Sequence, residues 1–257
     1  MIDLHSHILP GLDDGPADLD EAVALARAAS TAGIRVVATT SHINRSFMLD
    51  PDDLDAARAE LAERLAREGV PVELVQGGEI STGRLPDLDD DTLGRLALGG
   101  GRWVLLECPF SAATAMEPMT MELQRRGFGV LLAHPERSAY FQRDPGRLGR
   151  LVEQGALAQV TAGSFAGEFG DVPRRTAYKL LETGWVHVLA SDAHSAYDRG
   201  PSMREGIAAL RSRYGDVAAQ VTWMAEQLPA AILSSAQPPP RPALPRPRSM
   251  LRRLRAA

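Results

Sequence analysis

Cysteine is nearly absent from this chain of 257 residues: Cys108 is the only one. A single thiol excludes an internal disulfide and any zinc cage built from thiolates. Long apolar runs are missing too. Runs such as Trp103–Leu106 and Val130–Ala133 are strand-sized and far below the ~18 residues that a spanning helix needs. The chain starts Met-Ile-Asp-Leu-His without a charged-then-apolar leader, so a cytoplasmic location is the expectation. No serine nucleophile elbow, P-loop or dinucleotide-binding glycine pattern appears, and Gly99-Gly100-Gly101 reads as a turn before a strand. A net charge of −5 argues against nucleic acid as the main partner.

That charge is unevenly placed. Residues 237–257 carry six arginines, six prolines and no acid; setting those six charges aside takes the preceding residues from −5 to −11. Proline forbids a regular helix or central strand over Gln237–Arg248, so an extended, disordered tail is expected there. Met250–Arg255 has the composition of a short basic helical end able to touch a membrane surface or an acidic partner. The expected division is one folded body over 1–236 and a tail over 237–257.

Within the body, short apolar runs rich in β-branched residues alternate with amphipathic ones. Ile2–His5, Ile34–Thr39, Val72–Val75, Trp103–Glu107, Gly129–Ala133, Leu157–Val160 and Val186–Ala190 read as strands. Helices are expected around 18–32, 51–68, 115–126, 143–154, 172–183 and 201–213, more weakly at 87–98, and finally over 216–233. Asp50-Pro51 marks one helix start, and Gly33, Gly69, Gly127, Gly155 and Gly184 fall where helices should stop. Alternation of this kind implies an α/β fold with a parallel sheet. Seven strands suit a closed barrel, with an open doubly wound sheet as the alternative.

Five of the six histidines fall at the carboxyl ends of these strands. His5 and His7 form an H-x-H pair whose period of two puts both rings on one face. His42, His134 and His194 follow later strands, with Glu79, Glu107 and Asp192 at matching positions and Asp14 in the first strand-to-helix loop. In a parallel barrel all these ends meet at one mouth, where catalytic groups sit. Imidazole and carboxylate without thiolate suit zinc, manganese or iron. Nine such residues match three ions, or two with supporting groups. Four carboxylates against three divalent ions leave a positive pocket that attracts a dianion such as phosphate. Closely spaced ions clamp the attacking and leaving oxygens of a displacement and lower the pKa of a bridging water. Hydroxide attack on phosphorus is the chemistry expected.

The segments Ile2-Asp3-Leu4-His5-Ser6-His7, Asp13-Asp14-Gly15, Ser41-His42, Gly78-Glu79, Leu106-Glu107, His134-Pro135-Glu136-Arg137 and Ser191-Asp192-Ala193-His194 together resemble the polymerase-and-histidinol-phosphatase (PHP) superfamily. Within it the chain is similar to bacterial protein-tyrosine phosphatases of capsule and exopolysaccharide operons, the CpsB/YwqE type, over residues 1–235. The resemblance implies a distorted (β/α)7 TIM-like barrel holding three divalent ions, manganese foremost and iron or zinc as alternatives. It further implies hydrolysis of phosphotyrosine on a bacterial tyrosine kinase; the alternative is a small-molecule phosphomonoesterase such as histidinol phosphatase. The brief loop Ile43–Asp50 after His42 leaves a wide mouth, which favours a protein-borne phosphate.

By position, the family pattern places His5, His7, Glu79 and Asp192 around one ion. Glu79 would bridge to a second ion held also by Glu107 and His134, and Asp14, His42 and His194 would hold a third. Arg137 and Arg199 align with arginines that grip the substrate phosphate, a task suited to the planar guanidinium fork. The chain departs from the pattern at Cys108, which has the opposite parity to Glu107 and is expected to be a buried apolar residue. Arg137 is followed by Ser138 and Ala139 where an aromatic residue is common, so Tyr140 or Phe141 is expected to supply the ring contact. His187 and Trp103 are expected to be structural, Asp13 a turn residue, and Asp3 either a supporting group or a buried hydrogen-bonded acid.

Overall fold

The computed structural model describes residues 1–111 and 114–248. Its strands are β1 (Ile2–Ser6), β2 (Val36–Thr39), β3 (His42–Ile43), β4 (Glu73–Gln76), β5 (Glu79–Ile80), β6 (Trp103–Glu107), β7 (Gly129–Ala133), β8 (Leu157–Thr161) and β9 (Val188–Ala190). All pairings are parallel, in one sheet ordered β1-β2-β4 and a second ordered β3-β5-β6-β7-β8-β9. Backbone hydrogen bonds link the two. His7 N donates to Ala193 O at 2.9 Å and Asp192 N to His5 O at 2.9 Å, joining β1 to the end of β9. The fold is therefore a parallel α/β architecture, as the alternation of runs implies.

The seven expected strands are all present, and β3 and β5 are additions. Each is only two residues long, too short to show a period, and each continues an expected strand past a bend. Between β4 and β5 the bend is Gly77-Gly78. A Cβ on Gly77 would meet Thr40 Cγ2 at 3.0 Å, and one on Gly78 would meet Leu96 Cδ2 at 3.0 Å, so a larger residue would crowd its neighbours at this bend. The strand interiors are buried on both faces, from Leu4 through Val104, Leu106, Val130 and Leu132 to Leu189. That is why they read as continuous apolar runs.

Around the sheets lie α1 (Leu19–Thr31), α2 (Pro51–Arg67), α3 (Asp90–Leu96), α4 (Glu117–Arg125), α5 (Ala139–Arg143), α6 (Gly146–Glu153), α7 (Ala162–Ala166), α8 (Asp171–Glu182), α9 (Met203–Tyr214), α10 (Ala218–Thr222) and α11 (Leu228–Leu233). Local chemistry sets their ends. Asp18 accepts the Glu21 amide to cap α1, and Asp50 forms a capping box with Asp53 ahead of α2, with Pro51 in its first turn. The helices α5 and α7 were not expected, since five residues carry no usable periodicity. The single helix expected over 216–233 is interrupted by a π-turn at Trp223–Gln227. Pro229 follows it and cannot donate back to the preceding turn.

The proline-rich stretch is extended, as its composition requires, but over 237–248 it is not a detached, disordered tail. The Trp223 indole donates to Pro239 O at 3.0 Å. Arg241 donates to the carbonyls of Gly184 and Val186, and its guanidinium lies 4.7 Å from the Trp223 ring. These bonds satisfy carbonyls just past the end of α8, which a sequence pattern cannot foresee. The basic end at Met250–Arg255 lies outside the described residues.

His187 sits beside this contact, at the amino end of β9, as expected of a structural residue. Its Nδ1 accepts the Ala158 amide at 3.1 Å. Burial, aided by the Arg241 charge, lowers its pKa to about 3. The unfolded chain therefore takes up a proton below pH ~6.5 that the folded chain refuses. Stability should be full above that pH and fall progressively as pH drops toward 3. Denaturant unfolding of His187→Asn, whose carbonyl can accept the same amide, should show about 2 kcal/mol less loss between pH 6.5 and 5 than the parent chain.

Candidate metal centre

All nine expected ligands reach the carboxyl ends of the strands. The ligating atoms of His7, Asp14, His42 and His194 lie within 4.8 Å of one another. The same limit holds within His5, Glu79 and His134, within His5, His7 and Asp192, and within His42, Glu79 and Glu107. Glu79 lies at the centre. Its Oε1 is 2.9 Å from His134 Nε2 and 3.4 Å from His5 Nε2, and its Oε2 is 2.9 Å from His42 Nδ1 and 3.5 Å from His7 Nε2.

Hydrogen bonds fix which imidazole nitrogens carry protons. Gln159 Oε1 on β8 accepts from the His134 backbone amide at 3.3 Å, which orients the carboxamide. The same oxygen lies 2.9 Å from His5 Nδ1, so that nitrogen is the donor. His7 Nδ1 likewise donates to Asp13 Oδ2 at 2.8 Å, and His194 Nδ1 to Asp192 O at 2.9 Å. Neutral rings so held expose lone pairs at Nε2. Those of His5 and His7 face each other across 3.2 Å, each within 3.4 Å of Asp192 Oδ1. Two lone pairs and two carboxylates in a buried space repel one another unless a cation lies among them. Glu79 Oε2 and His42 Nδ1 lie 2.9 Å apart without hydrogen-bond alignment, and His134 Nδ1 and His194 Nε2 also lack an aligned partner. The donor set fits divalent metal.

The same carboxylates favour any positive charge placed among them, a proton as much as a metal ion. Burial disfavours the charged ring of His7, yet Asp13, Asp192 and Glu79 outweigh it and raise its pKa well above the ordinary value. Burial likewise disfavours ionised Glu79, but His5, His134 and His42 hold its pKa well below the usual range. Glu107 is raised, by burial first and the Glu79 charge second. Cys108 is fully buried, and burial pushes its thiol well above the usual value, so it is no nucleophile.

Two candidate ligands owe their placement to unusual backbone. His134 (φ 37°) and Asp192 (φ 53°) adopt the left-handed conformation without being glycine, a strain that collects at functional sites. Strand alternation does not place Asp192 and His194, because β9 ends at Ala190. The bond from His194 Nδ1 to Asp192 O brings them together instead. Arg137 and Arg199 converge on Asp192 Oδ2, Arg199 Nη2 at 3.2 Å, and Arg199 Nη1 lies 3.7 Å from Asp14 Oδ2.

Several supporting residues correct or extend the sequence reading. Asp13 is more than a turn residue: besides holding His7, it accepts the amides of His42 at 2.9 Å and Gly15 at 3.0 Å. Asp3 is a buried hydrogen-bonded acid that accepts from the amides of His5 and Ser191 and from the Ser191 hydroxyl, tying β1 to the Asp192 loop. Gln159 went unnoticed, although an amide inside the apolar run Leu157–Thr161 was a usable signal. Tyr140 and Phe141 do not reach the mouth; Phe141 is fully buried and the Tyr140 hydroxyl bonds to Glu117. The rings on Arg137 belong to Phe110 and Phe169, at 4.8 and 4.1 Å.

Groups that hold ligating histidines from behind typically contribute 10- to 100-fold to metal affinity. Asp13→Asn should therefore weaken metal binding by about that factor while leaving the far-ultraviolet circular dichroism unchanged. Calorimetric titration of the metal-stripped protein with Mn²⁺ measures it.

Comparison with known proteins agrees with this geometry. The family described as "Capsular polysaccharide synthesis, CpsB/CapC" matches residues 1–233. Tyrosine-protein phosphatase YwqE of Bacillus subtilis (strain 168) is 35% identical over 219 residues, covering 84% of this chain and 85% of that protein. Tyrosine-protein phosphatase CpsB of Streptococcus pneumoniae is 29% identical over 227 residues, covering 84% and 91%. A crystal structure from work on YwqE and CpsB, described there as metal-dependent tyrosine phosphatases, superposes with a TM-score of 0.84 at 32% identity, covering 96% of this chain and 99% of the other. This chain belongs to the CpsB/CapC family.

Proposed function

We propose that the chain is a metal-dependent protein-tyrosine phosphatase whose substrate is a phosphotyrosyl protein, a bacterial tyrosine kinase that controls capsule or exopolysaccharide synthesis. The observation that carries this is the gathering of five imidazoles and four carboxylates beside two arginines that share one carboxylate oxygen. The relatives named above support the same reading, and it outweighs a histidinol phosphatase.

The supporting fold is read as a distorted (β/α)7 barrel over 1–236, in which β2 with β3 and β4 with β5 each count as one bent strand. The ligand scheme proposed is three divalent ions, manganese first. One would be held by His5, His7, Glu79 and Asp192, a second by Glu79, Glu107 and His134, and a third by Asp14, His42 and His194. When bound, such ions supply positive charge to the phosphoryl oxygens and an activated water at neutral pH. The chain's own part is positional. Arg137 and Arg199 take the remaining phosphoryl oxygens, exchanging Asp192 for substrate. Gln159, Asp13 and the Asp192 carbonyl keep His5, His7 and His194 in one tautomer. The protonated, buried Cys108 thiol takes no part, so no cysteinyl phosphate forms. Among the described residues no helix is long and apolar enough to cross a membrane; a cytoplasmic location, with peripheral contact through the basic tail, is proposed.

Hydrolysis of a phosphotyrosyl peptide tests this directly. EDTA and His5→Ala should each abolish it, Cys108→Ser should leave it intact, and Arg137→Ala should lower kcat/KM by on the order of 100-fold. Activity that survives His5→Ala but is lost in Cys108→Ser would overturn the proposal, as would faster turnover of histidinol phosphate than of the peptide.

A further inference from the structure

Two phenyl rings stand at the metal centre with no part in the ligand scheme. Phe47 stacks on His42 with ring centroids 6.1 Å apart and planes 7° from parallel. Phe110 stacks on His134 at 5.5 Å and 22°. His42 and His134 approach opposite oxygens of Glu79, each at 2.9 Å, so each phenyl lies against a ring that contacts this carboxylate. Phe110 is 55% exposed, an arrangement that core packing does not explain. Hydrogen bonds anchor the backbone at both residues. Asn44 Oδ1 accepts the amides of Ser46 and Phe47 at 2.8 and 2.9 Å, closing a tight turn under Phe47. The Phe110 carbonyl accepts the Ala139 amide at 3.1 Å, and Ser138 Oγ donates to the preceding Pro109 carbonyl at 2.7 Å. Those bonds tie Phe110 to the turn bearing Arg137, whose guanidinium lies 4.8 Å from the ring.

We propose that Phe47 and Phe110 are the side walls of a slot for the aromatic ring of an aryl phosphate monoester, and that they set the preference for aryl over alkyl phosphates. This deepens the phosphatase reading and rests on it. A phosphoryl group among Glu79, Asp192 and the arginines must direct its organic substituent outward, past the two phenyls. An aryl substituent gains stacking on rigid, partly desolvated rings; a serine-derived methylene offers no ring to stack. An aromatic pair contributes enough for a rate or affinity ratio of about three- to tenfold per ring.

The test compares Phe47→Ala, Phe110→Ala and the double variant with the parent chain, all loaded with Mn²⁺ and checked for equal metal content. Substrates are a phosphotyrosyl peptide and the phosphoseryl peptide of the same sequence. The parent should favour the aryl ester. Each single variant should lose about three- to tenfold more in kcat/KM on the aryl ester than on the alkyl ester, mainly through KM. Equal losses on both substrates would mean the rings only support His42 and His134, and the slot would be refuted. A parent with no aryl preference would refute it as well. Binding of phenylphosphonate against methylphosphonate by calorimetry separates the two readings: a phenyl preference lost in the variants, without turnover, keeps the slot and removes the phosphatase. Absence of that preference removes the slot.

Discussion

Two bare imidazole nitrogens 3.2 Å apart, walled in by carboxylates, are the constraint on which the rest of this molecule depends. Such an arrangement is unfavourable in a space without a cation, and it persists only because the surrounding structure over-determines it. Each ring is pinned at its other nitrogen, His5 by Gln159 and His7 by Asp13. These partners are pinned in turn by backbone amides of His134, His42 and Gly15. Ligand and support thus belong to different strands and loops, and the site stays in register only while the sheets do.

The same economy shapes the rim. Asp192 presents one oxygen to the histidines and the other to Arg137 and Arg199, so a single carboxylate couples the histidine cluster to the two arginines. Arg137 is held further by the faces of Phe110 and Phe169, which keep its guanidinium plane oriented without neutralising its charge.

Sequence reading recovered the seven main strands and the long helices, because apolar runs and amphipathic periods are local signals. The nine candidate ligands were legible for a related reason: polar, metal-competent residues at strand ends stand out against apolar strands. Where it fell short, the pattern was too brief or the partner too distant. The pairs His42–Ile43 and Glu79–Ile80 have no period. Asp13 looked like one more loop acid, and its role became visible only through contacts with His7 and His42. Tyr140 was closer in sequence to Arg137 than Phe110, yet the turn at Pro135–Arg137 sends it inward. The docked stretch 237–248 depends on Trp223 and on carbonyls past α8, which no composition argument reaches.

The sequence by itself determined the class of chemistry, because ligand type follows from side-chain identity: imidazole and carboxylate without thiolate, with arginine in reserve. It also determined a parallel α/β scaffold, because the alternation of buried runs and amphipathic helices admits few other packings. The tertiary structure alone decided which nitrogen of His5, His7 and His194 is held by a hydrogen bond, which acids brace the histidines, and which rings border the site. Those are properties of contacts between residues as much as 188 positions apart, as for Asp3 and Ser191, and spacing along a chain carries no record of distance in space.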